Sequence, residues 1–329
     1  HVRSRRQRQM CIRDSLYTFH PQRTFITTYL LLFKTVIMKL KRIEAIFTPP
    51  ASHMVGDGFK VHQFIPSVKG LDMKRMDPFL MLDYNAKQHV EASSKPKGVG
   101  VHPHRGFETV TLAYKGRIAH HDSAGNAGII GEGDVQWMTA ASGVLHKEYY
   151  EEEWAREGGD FQMVQLWVNL PRKYKEEKPR YQALASNDFE RVYLSGNNSY
   201  IEIIAGEYAG KKGKAMTFSP IHLMNARLTQ GDKAEFSFPK DYTTFLLVIE
   251  GNIYINESID VKADHLLLFA YEGETFSITA SKNSVVLIVS GEPLKESIAA
   301  YGPFVMNTQK ELIQAFEDFN KGKYGILND

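Results

Sequence analysis

From Lys60 onward, short apolar runs rich in Val, Ile, Phe, Tyr and Thr alternate with clusters of Gly, Asp, Asn and Pro. Thr109–Tyr114, Arg117–His120, Asp134–Thr139, Met163–Leu170, Tyr200–Ala205, Thr243–Ile249, His265–Ala270 and Val285–Val289 each read as a strand. Turn residues recur about every 8–12 positions, as barrels and sandwiches require. The pattern predicts an all-β protein. Only residues 308–321 change period: Leu312, Phe316 and Phe319 fall at i, i+4, i+7, behind Thr308 and Glu311 in a capping-box arrangement. That segment predicts one C-terminal helix laying its apolar face on a barrel.

The strand pattern breaks at LPRKYKEEKP, residues 170–179, where charge and proline replace it. The reading is therefore two β-domains, residues 38–172 and 173–300, with a tail at 301–329 that carries the helix. YKGRIAH at 114–120 and IEGNIYI at 249–255 both read strand, Gly turn, strand, as if one fold were used twice. A chain of 329 residues has length enough to bury two cores. Met38 opens a stretch that reads as a domain start, so residues 1–37 are taken as a leader without function of its own.

Charge and cysteine content narrow the function classes. Cys11 is the single cysteine, which rules out an intramolecular disulfide and fits a reducing, cytoplasmic setting. The net charge is +2, but residues 1–37 carry seven basic side chains against Asp14 alone, a net of +6 that leaves −4 for the remainder. The body of the chain is thus not a basic platform for nucleic acid. The apolar run FITTYLLLFKTVI at 25–37 is interrupted by Lys34 and is too short to span a bilayer, so no membrane association is expected.

The chemistry lies in two short pairs. His102 and His104 are two apart in VGVHPHRGFETVT, and His146 and Glu148 are two apart in ASGVLHKEYY. Residues i and i+2 of a strand share a face, so two neighbouring strands would aim three imidazoles and one carboxylate at one point. Pro103 cannot donate to a ladder and places the first pair at a strand start or edge. One such pair would be read as ordinary polar residues. Two pairs, with glycine-rich turns such as GEGD at 131–134 between them, favour a metal site. The N3O donor set suits Fe(II), Mn(II), Ni(II), Cu(II) or Zn(II), and an octahedral ion would keep open positions for substrate or dioxygen. Affinity should fall on acidification, because imidazole must be neutral to bind. His120 and His121 are read as exposed residues or as neighbours of the site rather than ligands. His222 and His265 stand alone in apolar strands, so no metal is expected in the second half. The glycines at 125, 128, 131 and 133 precede a strand rather than a helix and fail as a phosphate loop, and no nucleophile elbow is visible. The sequons at Asn197 and Asn256 carry no weight without a secretion signal.

HPHRGFETVT (102–111), GDVQWMTA (133–140), SGVLHKE (142–148), QLWVNLP (165–171), GPFVMNT (302–308) and DPFLMLDY (77–84) together resemble the pirin family from about residue 40 to the C-terminus. The resemblance implies two tandem cupin barrels, each a double-stranded β-helix or jelly roll, with one mononuclear iron in the N-terminal barrel. It maps the ligands onto His102, His104, His146 and Glu148. Two functions are implied. One is ring opening of a flavonol such as quercetin by dioxygen, with Glu148 as the base that takes the 3-hydroxyl proton. The other is redox sensing by an iron-binding regulator that acts through protein partners. A monomer is expected. Arg105 is weighed between charge balance at the site and an exposed salt bridge, Phe107 and Trp137 between pocket lining and core, and the acidic YYEEEWARE at 149–157 is read as a solvated loop.

Overall fold

The computed structural model describes residues 39–194 and 198–328; the leader and Asn197 lie outside them. Two seven-stranded antiparallel sheets form its centre. In spatial order the first runs Arg180–Leu184, Val135–Thr139, Phe107–Lys115, Gly159–Asn169, Phe79–Val90, Phe59–Ile65 and His53–Val55. The second runs Ile43–Phe47, Leu266–Phe269, Thr243–Glu250, Ser284–Gly291, Ile221–Leu228, Tyr200–Ala205 and Glu190–Tyr193. Each is backed by a four-stranded sheet: Gly98–His104, Val144–Tyr150, Ile118–Asp122 and Ala127–Ile130 for the first, and Lys233–Ser237, Thr275–Ala280, Asn252–Ile255 and Ile259–Lys262 for the second. The result is two tandem β-barrels, with the eight expected strands all present to within a few residues.

The sheets do not divide the chain where the sequence breaks. Ile43–Phe47, from the N-terminal end, pairs with Leu266–Phe269 of the second barrel. Arg180–Leu184, after the break, pairs with Val135–Thr139 of the first. Each large sheet thus takes an edge strand from across the proposed 172/173 boundary.

Alternation decides what fills each barrel. Along the first large sheet Leu82, Tyr84, Val110, Leu112, Trp137, Val164 and Leu166 point one way and pack with Phe245, Leu247, Leu266 and Val289 of the second, forming the core between the barrels. The second barrel is filled with apolar side chains, among them Met224, Phe236, Leu246, Val248, Phe276 and Ile288. In the first barrel the strand positions alternating with the shared core include buried Thr109, Thr111 and Gln136 and half-buried Gln165, alongside apolar Ala113, Met138 and Met163. Thr111, Gln136 and Gln165 find hydrogen-bond partners inside the barrel, whereas the buried Thr109 hydroxyl has none, and this lining surrounds the histidines.

Glu108, buried at the end of its strand, accepts a hydrogen bond from Thr139 Oγ1 at 2.7 Å. Burial pushes its carboxyl up to about 7, against the opposing hydrogen bond of Thr139. A carboxyl raised by folding favours the native state most below its unfolded pKa. The contribution of Glu108 to stability should therefore fall by roughly 3 kcal/mol between about pH 4.5 and 7. Urea unfolding of Glu108→Gln beside the parent at pH 5 and pH 8 should show that slope removed; parallel pH profiles would contradict it.

The helix α2 (Gln309–Asn320) starts at Thr308 with both hydrogen bonds of the capping box, and Leu312 and Ala315 bury against Phe304 and Tyr324. The acidic segment departs from expectation. Residues 152–157 form a short helix, α1 (Glu152–Glu157), because the Glu151 carboxylate accepts from the N–H groups of Glu153 and Trp154 at 2.9 Å and Ala155 is buried. Among the described residues no helix is long and apolar enough to cross a membrane.

Candidate metal centre

Gly98–His104 is an edge strand paired antiparallel with Val144–Tyr150, and His102 sits directly opposite His146. A bulge between His146 and Glu148 brings Glu148 opposite Val99. The close approach depends on Gly98, where a Cβ would stand 2.2 Å from the Glu148 carbonyl oxygen. Pro103 lies on the ladder's edge, where its missing N–H costs nothing.

The ring centroids of His102 and His146 are 4.2 Å apart, and those of His104 and His146 are 4.7 Å apart. His104, His146 and Glu148 are buried, while His102 is half-buried and opens the cluster toward solvent. Ligand atoms of His102, His104 and His146 lie within 4.8 Å of one another, and so do those of His120, His146 and Glu148. The four expected residues therefore meet as two overlapping groups that share His146, with His120 as an added member. His120 is fully buried, which decides between the two readings of it in favour of a neighbour of the site: Glu148 faces it across the ladder, and its ring stacks on Tyr181 at 5.0 Å. His121, next along the strand, faces the other way and pairs with the Tyr149 hydroxyl at 3.2 Å.

Glu148 is fixed by three donors. Its Oε1 accepts from Thr111 Oγ1 at 3.2 Å and Gln136 Nε2 at 3.1 Å, and its Oε2 accepts from Gln165 Nε2 at 2.7 Å. His146 Nε2 and His104 Nδ1, in contrast, are buried with no hydrogen-bond partner. Burial, with the neighbouring His102 ring as the next cause, holds both imidazoles well below the usual histidine range, so both stay neutral. Buried, neutral, unpartnered nitrogens beside a fixed carboxylate are what a borderline divalent ion requires, so the residues present fit a single metal.

Phe107 and Trp167 flank His104, each 5.0 Å away between centroids, whereas Trp137 lies in the core between the barrels. Arg105 is neither exposed nor at the cluster. It is buried and pairs with Asp318 of α2 and with Glu176, both at 2.8 Å. Its N–H donates to the Pro303 carbonyl, and the Val305 N–H donates to its own carbonyl at 3.0 Å. Buried Lys175 reinforces this join, donating to the Gly106 and Val305 carbonyls at 2.6 and 3.0 Å. The C-terminal tail is thereby bound to the residue following His104. In the second half, His222 lies against Phe238, and its Nδ1 accepts from the Glu207 N–H at 3.4 Å.

Residues 58–168 match the Pirin family and residues 223–325 the Pirin C-terminal cupin domain. The crystal structure of a quercetin 2,3-dioxygenase from Acinetobacter baumannii superposes with a TM-score of 0.82 at 42% identity, covering 87% of this chain and 99% of that one. Rat pirin is 37% identical over 265 residues, 79% of this chain and 87% of its own. A pirin-like protein of Solanum lycopersicum is 37% identical over 275 residues, covering 82% and 89%. With the paired barrels and the histidine-carboxylate cluster, these matches establish that the chain belongs to the pirin family.

Proposed function

We propose that this protein is a mononuclear metal dioxygenase that opens the central ring of a flavonol, holding one divalent ion, Fe(II) in the native state, through His102, His104, His146 and Glu148. The observation that carries the reading is the set of buried, unpartnered imidazole nitrogens beside a carboxylate fixed by three donors. The likeness to the Acinetobacter dioxygenase supports the reaction class. When bound, the ion supplies a Lewis acid for the flavonol 3-hydroxyl and a redox centre for dioxygen.

The chain's own part is positioning and proton handling. Substrate enters on the His102 side, where the cluster meets solvent. Glu148 accepts the 3-hydroxyl proton while Gln136, Gln165 and Thr111 keep its oxygens aimed. Phe107 and Trp167 keep the wall beside His104 apolar and exclude water. Both atoms of dioxygen enter the product as C2 and C4 become carboxyl carbons and C3 leaves as carbon monoxide.

The test follows dioxygen uptake and carbon monoxide release on adding quercetin to anaerobically Fe(II)-loaded protein. Equal uptake and release at turnover is expected. Full iron occupancy without either gas change would overturn the reading and leave redox sensing through protein partners as the use of the site.

A further inference from the structure

We propose that His120 is a positioning residue that fixes the tautomer of His146 through a hydrogen-bonded chain from Tyr181 to Asp122. The inference rests on the reading of His146 as a metal ligand.

The proton positions follow from one group that can only accept. Gln136 Nε2 lies 3.1 Å from Glu148 Oε1, and a carboxylate oxygen accepts, so this end of the amide is the NH2. The carbonyl end then faces Tyr181, whose hydroxyl donates to Oε1 at 3.4 Å. The amide's second N–H points at His120 Nδ1, 3.1 Å away, so that nitrogen presents its lone pair. In a neutral His120 the ring proton is therefore on Nε2, 3.4 Å from Asp122 Oδ2. Asp122 is anchored in turn by the N–H groups of Ala124 and Asn126 and by Asn126 Nδ2.

His146 Nδ1 lies 3.5 Å from the same His120 lone pair. Two lone pairs at that separation repel, so His146 Nδ1 carries a hydrogen and shares the acceptor with Gln136. Neutral His146 is then left with a bare lone pair on Nε2, the atom that is buried without a partner. The network thus leaves His146 in the one tautomer that can donate through Nε2, and it backs the ring with the Asp122 charge two bonds away. Partners of this kind fix ligand orientation and raise ligand basicity. Two of the contributors, Tyr181 and Gln136, belong to neighbouring strands of the large sheet, so the strand that crosses the proposed domain boundary also braces the site.

The test compares His120→Leu with His120→Asn, whose Oδ1 takes the place of Nδ1 as acceptor, using Zn(II) affinity by chelator competition. The leucine variant should bind about 10–100-fold more weakly, and the asparagine variant should recover most of that loss. In Zn(II)-loaded parent protein with 15N-labelled histidine, His146 should show a protonated Nδ1, a readout that needs no variant to fold. A bare Nδ1 on His146, or parent-like affinity in a folded leucine variant, would overturn the proposal. So would loss of binding in both variants as complete as in His146→Ala, since His120 would then be a ligand. Unchanged affinity in His146→Ala would overturn the ligand assignment itself, and the relay with it.

Discussion

Replacing Glu148 by glutamine should lower flavonol turnover by about 10²–10⁴-fold in protein matched for metal content. The amide keeps the shape of the carboxyl and can take a hydrogen bond on its oxygen, but it cannot accept a proton at neutral pH. It also places an NH2 against one of three donors, Gln136, Gln165 or Thr111, where the carboxylate accepted from all of them. Weaker metal retention should accompany the lost rate, because a neutral oxygen replaces an anionic one. Single-turnover kinetics on metal-loaded protein separates the two effects. Turnover within a few-fold of the parent would remove Glu148 as the base and place proton acceptance on solvent.

Arg105→Met should destabilise the fold by about 1–3 kcal/mol, the usual cost of leaving a buried polar group short of a hydrogen-bond partner. Asp318 is then left buried with only Lys323 and Gln314 as partners, and the tie between α2 and the residue after His104 is lost. Lys323 first, then Arg105, hold the Asp318 carboxyl well below the ordinary range. A depressed carboxylate adds stability above its unfolded pKa and loses it as pH falls through the folded value. The difference between parent and variant should therefore be full at neutral pH and shrink in strong acid. Thermal unfolding at pH 7 and pH 3 would show this, and a midpoint unchanged at pH 7 would contradict it. Because the tail reaches the Pro303 carbonyl beside His104, metal affinity should fall alongside stability.

Much of this was legible because strands report their own geometry. The two-residue spacing of His102 with His104, and of His146 with Glu148, puts each pair on one face, and antiparallel pairing sets His102 opposite His146. What the sequence hides depends on partners far along the chain. His120 and His121 are adjacent, so one must face inward, but their spacing does not say which. Arg105 reads equally as a charge at the site or a surface cation until Asp318, 213 positions away, is folded against it. The six residues of α1 are too few to show a helical period, and the Glu151 side chain, rather than a periodic apolar face, starts the turn. No local pattern announces that Ile43–Phe47 and Arg180–Leu184 belong to the barrels opposite their place in sequence, because pairing partners are chosen by sheet edges.

That exchange makes the two barrels clasp each other, with a consequence for how the chain emerges from the ribosome. The strand Ile43–Phe47 is among the first described segments made, yet its partner Leu266–Phe269 appears more than two hundred residues later. Until then an early strand waits unpaired, and the edge it will cover, four consecutive buried apolar residues, is the kind that captures other strands. Cutting the gene at the sequence break would therefore not release two self-sufficient modules. It would release two halves with complementary open edges, better suited to finding each other than to standing alone.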